Sequence, residues 1–183
     1  MAPTGPVVFV VDDDASVRKS LARLVKAAGY EVEAFASVGD FLARAHFEGG
    51  PGCLLLDVRM PGQTGLDLQE TLRAAERRLS IVFITGHGDV RSSVTAMKGG
   101  AVDVLTKPLD EEALLTAIRQ AVRRTIDQQA EHGRVTAVRN CVATLTPREA
   151  EVFALVVTGM LNKQIGAQLV RLAGTGGMIA ARA

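Results

Sequence analysis

The sequence predicts a doubly wound α/β domain followed by a small helical segment, and three observations carry that prediction. Five apolar runs of four or five residues recur through the first two thirds of the chain, each rich in β-branched residues or Leu. Segments with helical apolar spacing lie between them. The runs end on acidic, hydroxyl and basic residues, which are the positions where a doubly wound sheet carries its chemistry. Short, continuously apolar runs suit strands buried on both faces of a parallel sheet.

In chain order the runs are Val7–Val11, Val32–Phe35, Cys53–Leu56, Ile81–Ile84 and Val102–Leu105. After the first run, Val17, Leu21, Leu24, Val25 and Ala28 form one helical stripe. After the last, Leu114, Leu115, Ile118, Ala121 and Val122 form another, so strand and helix alternate five times. The domain is therefore expected over residues 1–125. From Thr125 to about Ala143 the chain turns polar, with Asp127, Gln128, Gln129, Glu131, His132 and Gly133. That stretch reads as a helical extension or a linker, with the linker placed at 126–143.

A second unit, 144–183, starts sharply. Thr146-Pro147-Arg148-Glu149 combines a capping Thr, Pro at the first helical position and Glu three residues after the Thr, which is a capping box. Val152, Phe153, Leu155 and Val156 supply an apolar face. A second short helix is expected over Asn162–Leu169 with Asn162 as its cap. Beyond it the pattern dissolves into a stretch containing Gly174, Gly176 and Gly177.

Composition narrows the function classes. The 183 residues are 48% hydrophobic with a net charge of +1, so nothing drives the whole chain towards nucleic acid or membrane. Residues 1–125 hold 15 Lys/Arg against 16 Asp/Glu (net −1) and residues 126–183 hold 6 against 4 (net +2), which leaves only a mildly basic tail. Two cysteines, Cys53 and Cys141, make no disulfide framework, and Cys53 reads as a buried thiol. No run approaches the roughly 20 residues that span a bilayer, and no secretory signal opens the chain. A cytoplasmic protein without membrane contact is expected.

The strand ends define the chemistry. The first run leads into Asp12, Asp13 and Asp14, the third into Asp57, the fourth into Thr85 and Gly86, and the fifth into Lys107 and Pro108. Carboxylates converging on one edge repel, at about 4 kcal/mol per pair for ~4 Å and an effective dielectric of ~20. A divalent cation removes that cost, and all-oxygen ligands select Mg²⁺, with Mn²⁺ also suited. Asp57 is an oxygen nucleophile of the kind that forms acyl phosphates. Lys107 can pair with a phosphoryl oxygen and Thr85 can donate a hydrogen bond to another. Asp14 is better read as a helix cap. His87 reads as a site-rim residue that tunes hydrolysis, and His46 and His132 as surface residues.

The segments Val-Val-Asp12-Asp13-Asp14, Leu-Leu-Leu-Asp57-Val-Arg-Met-Pro61-Gly62, Phe-Ile-Thr85-Gly86 and Leu-Thr-Lys107-Pro108 resemble the motif set of bacterial response-regulator receivers, in order and spacing. The resemblance implies a flavodoxin-like receiver with Asp57 as phosphoacceptor and Asp12 and Asp13 as the acidic pair. It further implies a metal held by Asp13, Asp57 and the Arg59 backbone carbonyl, with Thr85 as the switch hydroxyl and Lys107 preceding a cis Pro108. The partners it implies are a sensor histidine kinase and, on phosphorylation, a second copy docked through residues 89–107. Where such receivers commonly carry an aromatic, three residues before the lysine, this chain has Val104, which cannot report burial in the same way.

Leu145-Thr-Pro-Arg-Glu149, Val-Val-Thr-Gly-Met160 and Asn162-Lys-Gln-Ile165 resemble the start of LuxR-type DNA-binding domains, as joined to receivers in regulators of the nitrogen-fixation FixJ class. This implies transcription control, with Asn162–Leu169 as the first helix of a helix-turn-helix. The recognition helix should follow, yet residues 170–183 carry only Arg171 and Arg182 as basic residues among glycines. Direct readout needs several donors on a rigid helix, so DNA binding is expected to be impaired and the DNA-contacting residues are not assigned. A frameshift or truncation in the coding DNA would produce such a break.

Two alternatives follow from the same residues. One is a receiver acting as an interaction module or phosphoryl sink, with no DNA output. The other is a haloacid-dehalogenase-like phosphatase, whose Asp-x-Asp, Thr and Lys set is mimicked by Asp12-Asp13-Asp14, Thr85 and Lys107. The phosphatase would use Asp12 as nucleophile and leaves Asp57 with its Met-Pro-Gly turn unexplained. In the receiver reading no enzymatic activity is expected beyond self-phosphorylation and self-dephosphorylation at Asp57.

Overall fold

Residues 5–43, 50–75, 77, 79–86 and 89–169 are described by the computed structural model of the chain. His46, His87 and residues 170–183, on which some of the expectations fall, lie outside them. Five parallel strands, β1 (Val7–Val11), β2 (Glu31–Phe35), β3 (Gly52–Asp57), β4 (Ser80–Thr85) and β5 (Asp103–Thr106), form one sheet in the order β2-β1-β3-β4-β5. Helices α1 (Ala15–Ala27), α2 (Val38–Leu42), α3 (Gly65–Ala74), α4 (Val90–Lys98) and α5 (Glu111–Ala143) complete the winding. The doubly wound expectation is met.

The strand residues alternate between two cores. Val8, Val10, Leu55, Val82 and Ile84 pack with Leu21 and Val25 of α1 and Leu114 and Ile118 of α5. Phe9, Val11, Leu56 and Phe83 pack on the other face with Phe41 of α2, Leu68 and Leu72 of α3 and Ala96 of α4. Full burial on both faces holds for β1, β3 and β4 only. Strands β2 and β5 are the sheet edges and are half-buried, which corrects the uniform burial expected of them. The fifth strand also starts one residue late, its pairing with β4 beginning at Asp103 against Val82, although Val102 already donates its N–H to Ile81 O at 2.8 Å.

Polar composition misled at Thr125. It opens the polar stretch of the sequence, yet it is fully buried, and its hydroxyl accepts the Ser80 N–H at 3.0 Å. A buried N–H at the start of a strand needs an acceptor, and α5 supplies it. Helix α5 continues without a break to Ala143, so the stretch from Thr125 is a helical extension. The chain divides into two compact units, Met1–Glu131 and His132–Ala183.

In the second unit α6 (Pro147–Val157) carries the expected capping box: Thr146 Oγ1 accepts from Glu149 N–H and Glu149 Oε2 accepts from Thr146 N–H at 2.8 Å. Its expected apolar face is not covered, for no α6 residue is buried. The next helix spans 162–169. Leu161, not Asn162, occupies its cap position, because Leu161 O accepts the Ile165 N–H at 3.0 Å. Gln164 Oε1 accepts the Leu161 N–H in turn.

Candidate phosphoacceptor site

The order β2-β1-β3 places the reversal of strand order between β1 and β3, and the crevice beyond their carboxyl ends is where such sheets bind ligands. Register fixes what stands there. Val11 pairs with Leu56, so the next residue of each chain segment brings Asp12 beside Asp57. Asp57 pairs with Ile84 and Thr85 with Thr106, which carries Thr85 and Lys107 to the same edge. Lys107 donates its N–H to Thr85 O at 2.8 Å, and the Lys107–Pro108 peptide is cis.

Asp12 is 1% exposed and Asp57 is also buried, whereas Asp13 faces solvent. Asp12 Oδ1 accepts the Asp14 N–H at 2.8 Å, which fixes its carboxylate. Asp14 turns the other way and caps α1, accepting from Ser16 N–H at 2.7 Å. Lys107 Nζ lies 3.0 Å from Asp12 Oδ2 and 3.2 Å from Asp57 Oδ2. Asp57 Oδ1 accepts the Arg59 N–H at 3.3 Å. Burial pushes the Asp57 carboxyl above the usual range, opposed by the neighbouring Lys107 charge and the Arg59 N–H. Burial alone would lower Lys107, but its hydrogen bond to Asp12 and the charges of Asp57 and Asp12 outweigh it and raise it.

Carboxylate oxygens of Asp12, Asp13 and Asp57 lie within 4.8 Å of one another. Three carboxylates face one ammonium, and hard oxygen donors so grouped fit a divalent cation. Thr85 is buried, and among the described residues its hydroxyl makes only a long contact, 3.4 Å, to Gly86 O. A loosely held hydroxyl can turn to a new acceptor. Asp12, Asp13, Asp57, Thr85 and Lys107 are thus gathered at one edge; Arg59 contributes its N–H, and its side chain points to Asp89 instead.

Sequence reasoning missed that last contact. Arg59 Nε donates to Asp89 Oδ2 at 2.9 Å, and Asp89 caps α4. It also missed Gly65, where a Cβ would meet Asp57 O at 2.3 Å, so that only glycine lets α3 start against the Asp57 backbone. A glycine at the first position of a helix capped by Thr64 was the available signal. Cys53 is buried, and burial pushes its thiol up to about 12, so it stays protonated. Among the described residues no helix is long and apolar enough to cross a membrane.

Residues 8–119 match the response regulator receiver domain family, and residues 143–170 match the LuxR family of bacterial regulatory proteins. Nodulation protein W of Bradyrhizobium diazoefficiens is 44% identical over 168 residues, covering 92% of this chain and 74% of that protein. The transcriptional regulatory protein FixJ of Azorhizobium caulinodans is 39% identical over 167 residues, covering 91% and 79%. The structure of response regulator StyR is 44% identical with a TM-score of 0.78, covering 91% of this chain and 83% of that one. These matches do not favour the phosphatase or the output-free alternatives. The chain belongs to the two-component response regulators that join a receiver to a LuxR-type DNA-binding domain, a family of transcription regulators.

Proposed function

We propose that Asp57 accepts a phosphoryl group from the phosphohistidine of a sensor histidine kinase in the cytoplasm, and that this controls a transcriptional output. The observation that carries the reading is the buried Asp57 carboxylate beside Asp12, Asp13 and Lys107 at the β1/β3 edge. An Asp57 oxygen attacks phosphorus; the O–P bond forms as the P–N bond breaks, and the imidazole, already protonated on its other ring nitrogen, leaves as the neutral ring with the electron pair. Lys107 pairs with one phosphoryl oxygen and Thr85 donates its hydroxyl hydrogen to another. Asp12, Asp13, Asp57 and the Arg59 carbonyl would hold Mg²⁺, or Mn²⁺, which supplies charge neutralisation between nucleophile and phosphoryl oxygens. Self-phosphorylation from small donors and self-dephosphorylation by water are the only covalent chemistry assigned to the chain.

We assign a receiver to 1–125, a linker to 126–143 that continues α5 as helix, and a partial LuxR-type output segment to 144–183. Exposed Val90, Val94 and Met97 support docking of a second phosphorylated copy on the face of residues 89–107. Residues 171–183, beyond the LuxR-type match, offer only Arg171 and Arg182 as basic side chains, which supports weak DNA reading. Replacing Asp57 with Asn abolishes labelling by acetyl phosphate; labelling that survives the substitution sinks the assignment. Selection from a randomised duplex library, with beryllofluoride and Mg²⁺ present, yields no symmetric site; enrichment of one would mean the reader is intact.

A further inference from the structure

Helix α4 is held by polar contacts at its ends more than by packing. Of its nine residues only Ala96 is buried, and Val90 is 72% exposed. A groove of about 400 Å³, lined by Thr85, Val90, Ser93, Val94, Met97 and Thr106, runs along it. At the carboxyl end, Gln69 Nε2 of α3 donates to Ala96 O at 3.0 Å. At the amino end, Asp89 is the cap, with Oδ1 accepting the Ser92 N–H and its carbonyl accepting the Ser93 hydroxyl at 2.9 Å. The other Asp89 oxygen accepts from Arg59 Nε at 2.9 Å.

Arg59 stands two residues after Asp57 and gives its backbone N–H to Asp57 Oδ1. Three residues therefore join an oxygen of the acceptor carboxylate to the cap of α4. No aromatic on β5 offers another route, since Val104 stands three residues before Lys107 and is half-buried against the core.

We propose that the Arg59–Asp89 ion pair is a latch on α4, and that occupation of Asp57 draws the Arg59 guanidinium off Asp89 and frees the helix. The latch rests on the reading of Asp57 as phosphoacceptor. A phosphoryl group carries about −1.5 to −2 charges and three strong acceptor oxygens, and arginine's planar fork suits it better than a single carboxylate oxygen. The Arg59 side chain is 78% exposed, so it can turn without breaking a packed surface. The Asp89 side chain is 9% exposed, but the open guanidinium leaves the pair screened on one side, so it biases an equilibrium by about fivefold, small enough for one modification to reverse. Asp89 keeps its capping bonds after release, so α4 is freed as a helix and is not unravelled. Arg59 is on this account a positioning residue.

Calorimetric titration of the full chain with beryllofluoride, in Mg²⁺, tests the latch through signs. Asp89→Asn keeps the cap, as Asn caps as well as Asp, and removes the competing charge. It is expected to tighten beryllofluoride binding about two- to fivefold, because the cost of leaving Asp89 disappears. Arg59→Gln does not tighten binding, and in its background Asp89→Asn has no effect. A role confined to stability would not give that dependence. An unchanged affinity in Asp89→Asn, or an effect that persists beside Arg59→Gln, overturns the latch. Beryllofluoride binding that survives Asp57→Asn would overturn the acceptor reading itself, and the latch with it.

Discussion

Lys107 is the counter-cation of a crowded acidic site, and removing it tests both the electrostatics and the metal. Its Nζ lies 3.0 Å from Asp12 Oδ2 and 3.2 Å from Asp57 Oδ2. At an effective dielectric of ~20 each contact is worth about 5 kcal/mol before desolvation is set against it. Truncating one partner of a buried pair costs about 3–5 kcal/mol, because the remaining charge stays buried and unpaired. The Lys107 side chain is 31% exposed, so water screens part of the interaction. Lys107→Ala is therefore expected to destabilise the first unit by about 2–3 kcal/mol in EDTA.

In the substituted chain a divalent cation no longer competes with the ammonium for Asp12 and Asp57. Mg²⁺ should bind more tightly, and each tenfold gain in affinity adds about 1.4 kcal/mol of stability at saturation. Urea unfolding followed by far-ultraviolet circular dichroism, in EDTA and in millimolar Mg²⁺, reads both effects. A loss below about 0.5 kcal/mol in EDTA, the scale of a neutral surface substitution, would refute the pairing. Equal stabilisation of both chains by Mg²⁺ would refute the competition.

Gly65→Ala should cost about 1–3 kcal/mol in the same unfolding assay, because its Cβ meets the Asp57 carbonyl and the backbone must shift. Thr125→Val keeps the side-chain shape but orphans the Ser80 N–H, and should lower stability by about 1–3 kcal/mol. Hydrogen bonds from the Thr146 hydroxyl and N–H hold the Glu149 carboxyl below its ordinary value. The folded form therefore binds the proton less readily: the cap's contribution is full above the ordinary glutamate value of about 4.3 and is lost as pH falls through the lowered one. Circular dichroism of Glu149→Gln against the unsubstituted chain should differ at neutral pH and converge in acid.

Much of the fold was legible because buried strands leave a plain signature. Residues 7–11, 53–56 and 81–84 are apolar throughout since both faces of β1, β3 and β4 are covered. Edge strands carry less information, and Asp103 at the start of β5 blurred its boundary by a residue. The acceptor site was legible because its members stand one after another at strand ends, where motif and topology coincide. Arg59 and Asp89 were not, since two opposite charges 30 positions apart leave no periodic trace. Thr125 shows the opposite failure: polarity signals exposure only where no buried backbone group needs a partner.

The second unit obeys a different balance. Its α6 has eleven residues, fewer than the roughly 12–15 at which an isolated helix becomes even marginal in water. The capping box and Pro147 set where α6 begins, and a cap contributes about 1 kcal/mol, which does not replace burial. Phe153, Val156 and Val157 are exposed, and among the described residues of this unit only Ile165 is a buried hydrophobic side chain. The receiver instead encloses two cores spanning five strands and five helices. A chain built so unevenly does not unfold as one cooperative body. The urea transition that Lys107→Ala shifts should be the later one, belonging to Met1–Glu131, with α6 lost before it. Helix α5 runs through both units, so its residues up to Thr125, anchored at Ser80, should persist while the exposed turns from Val135 to Val142 go with α6.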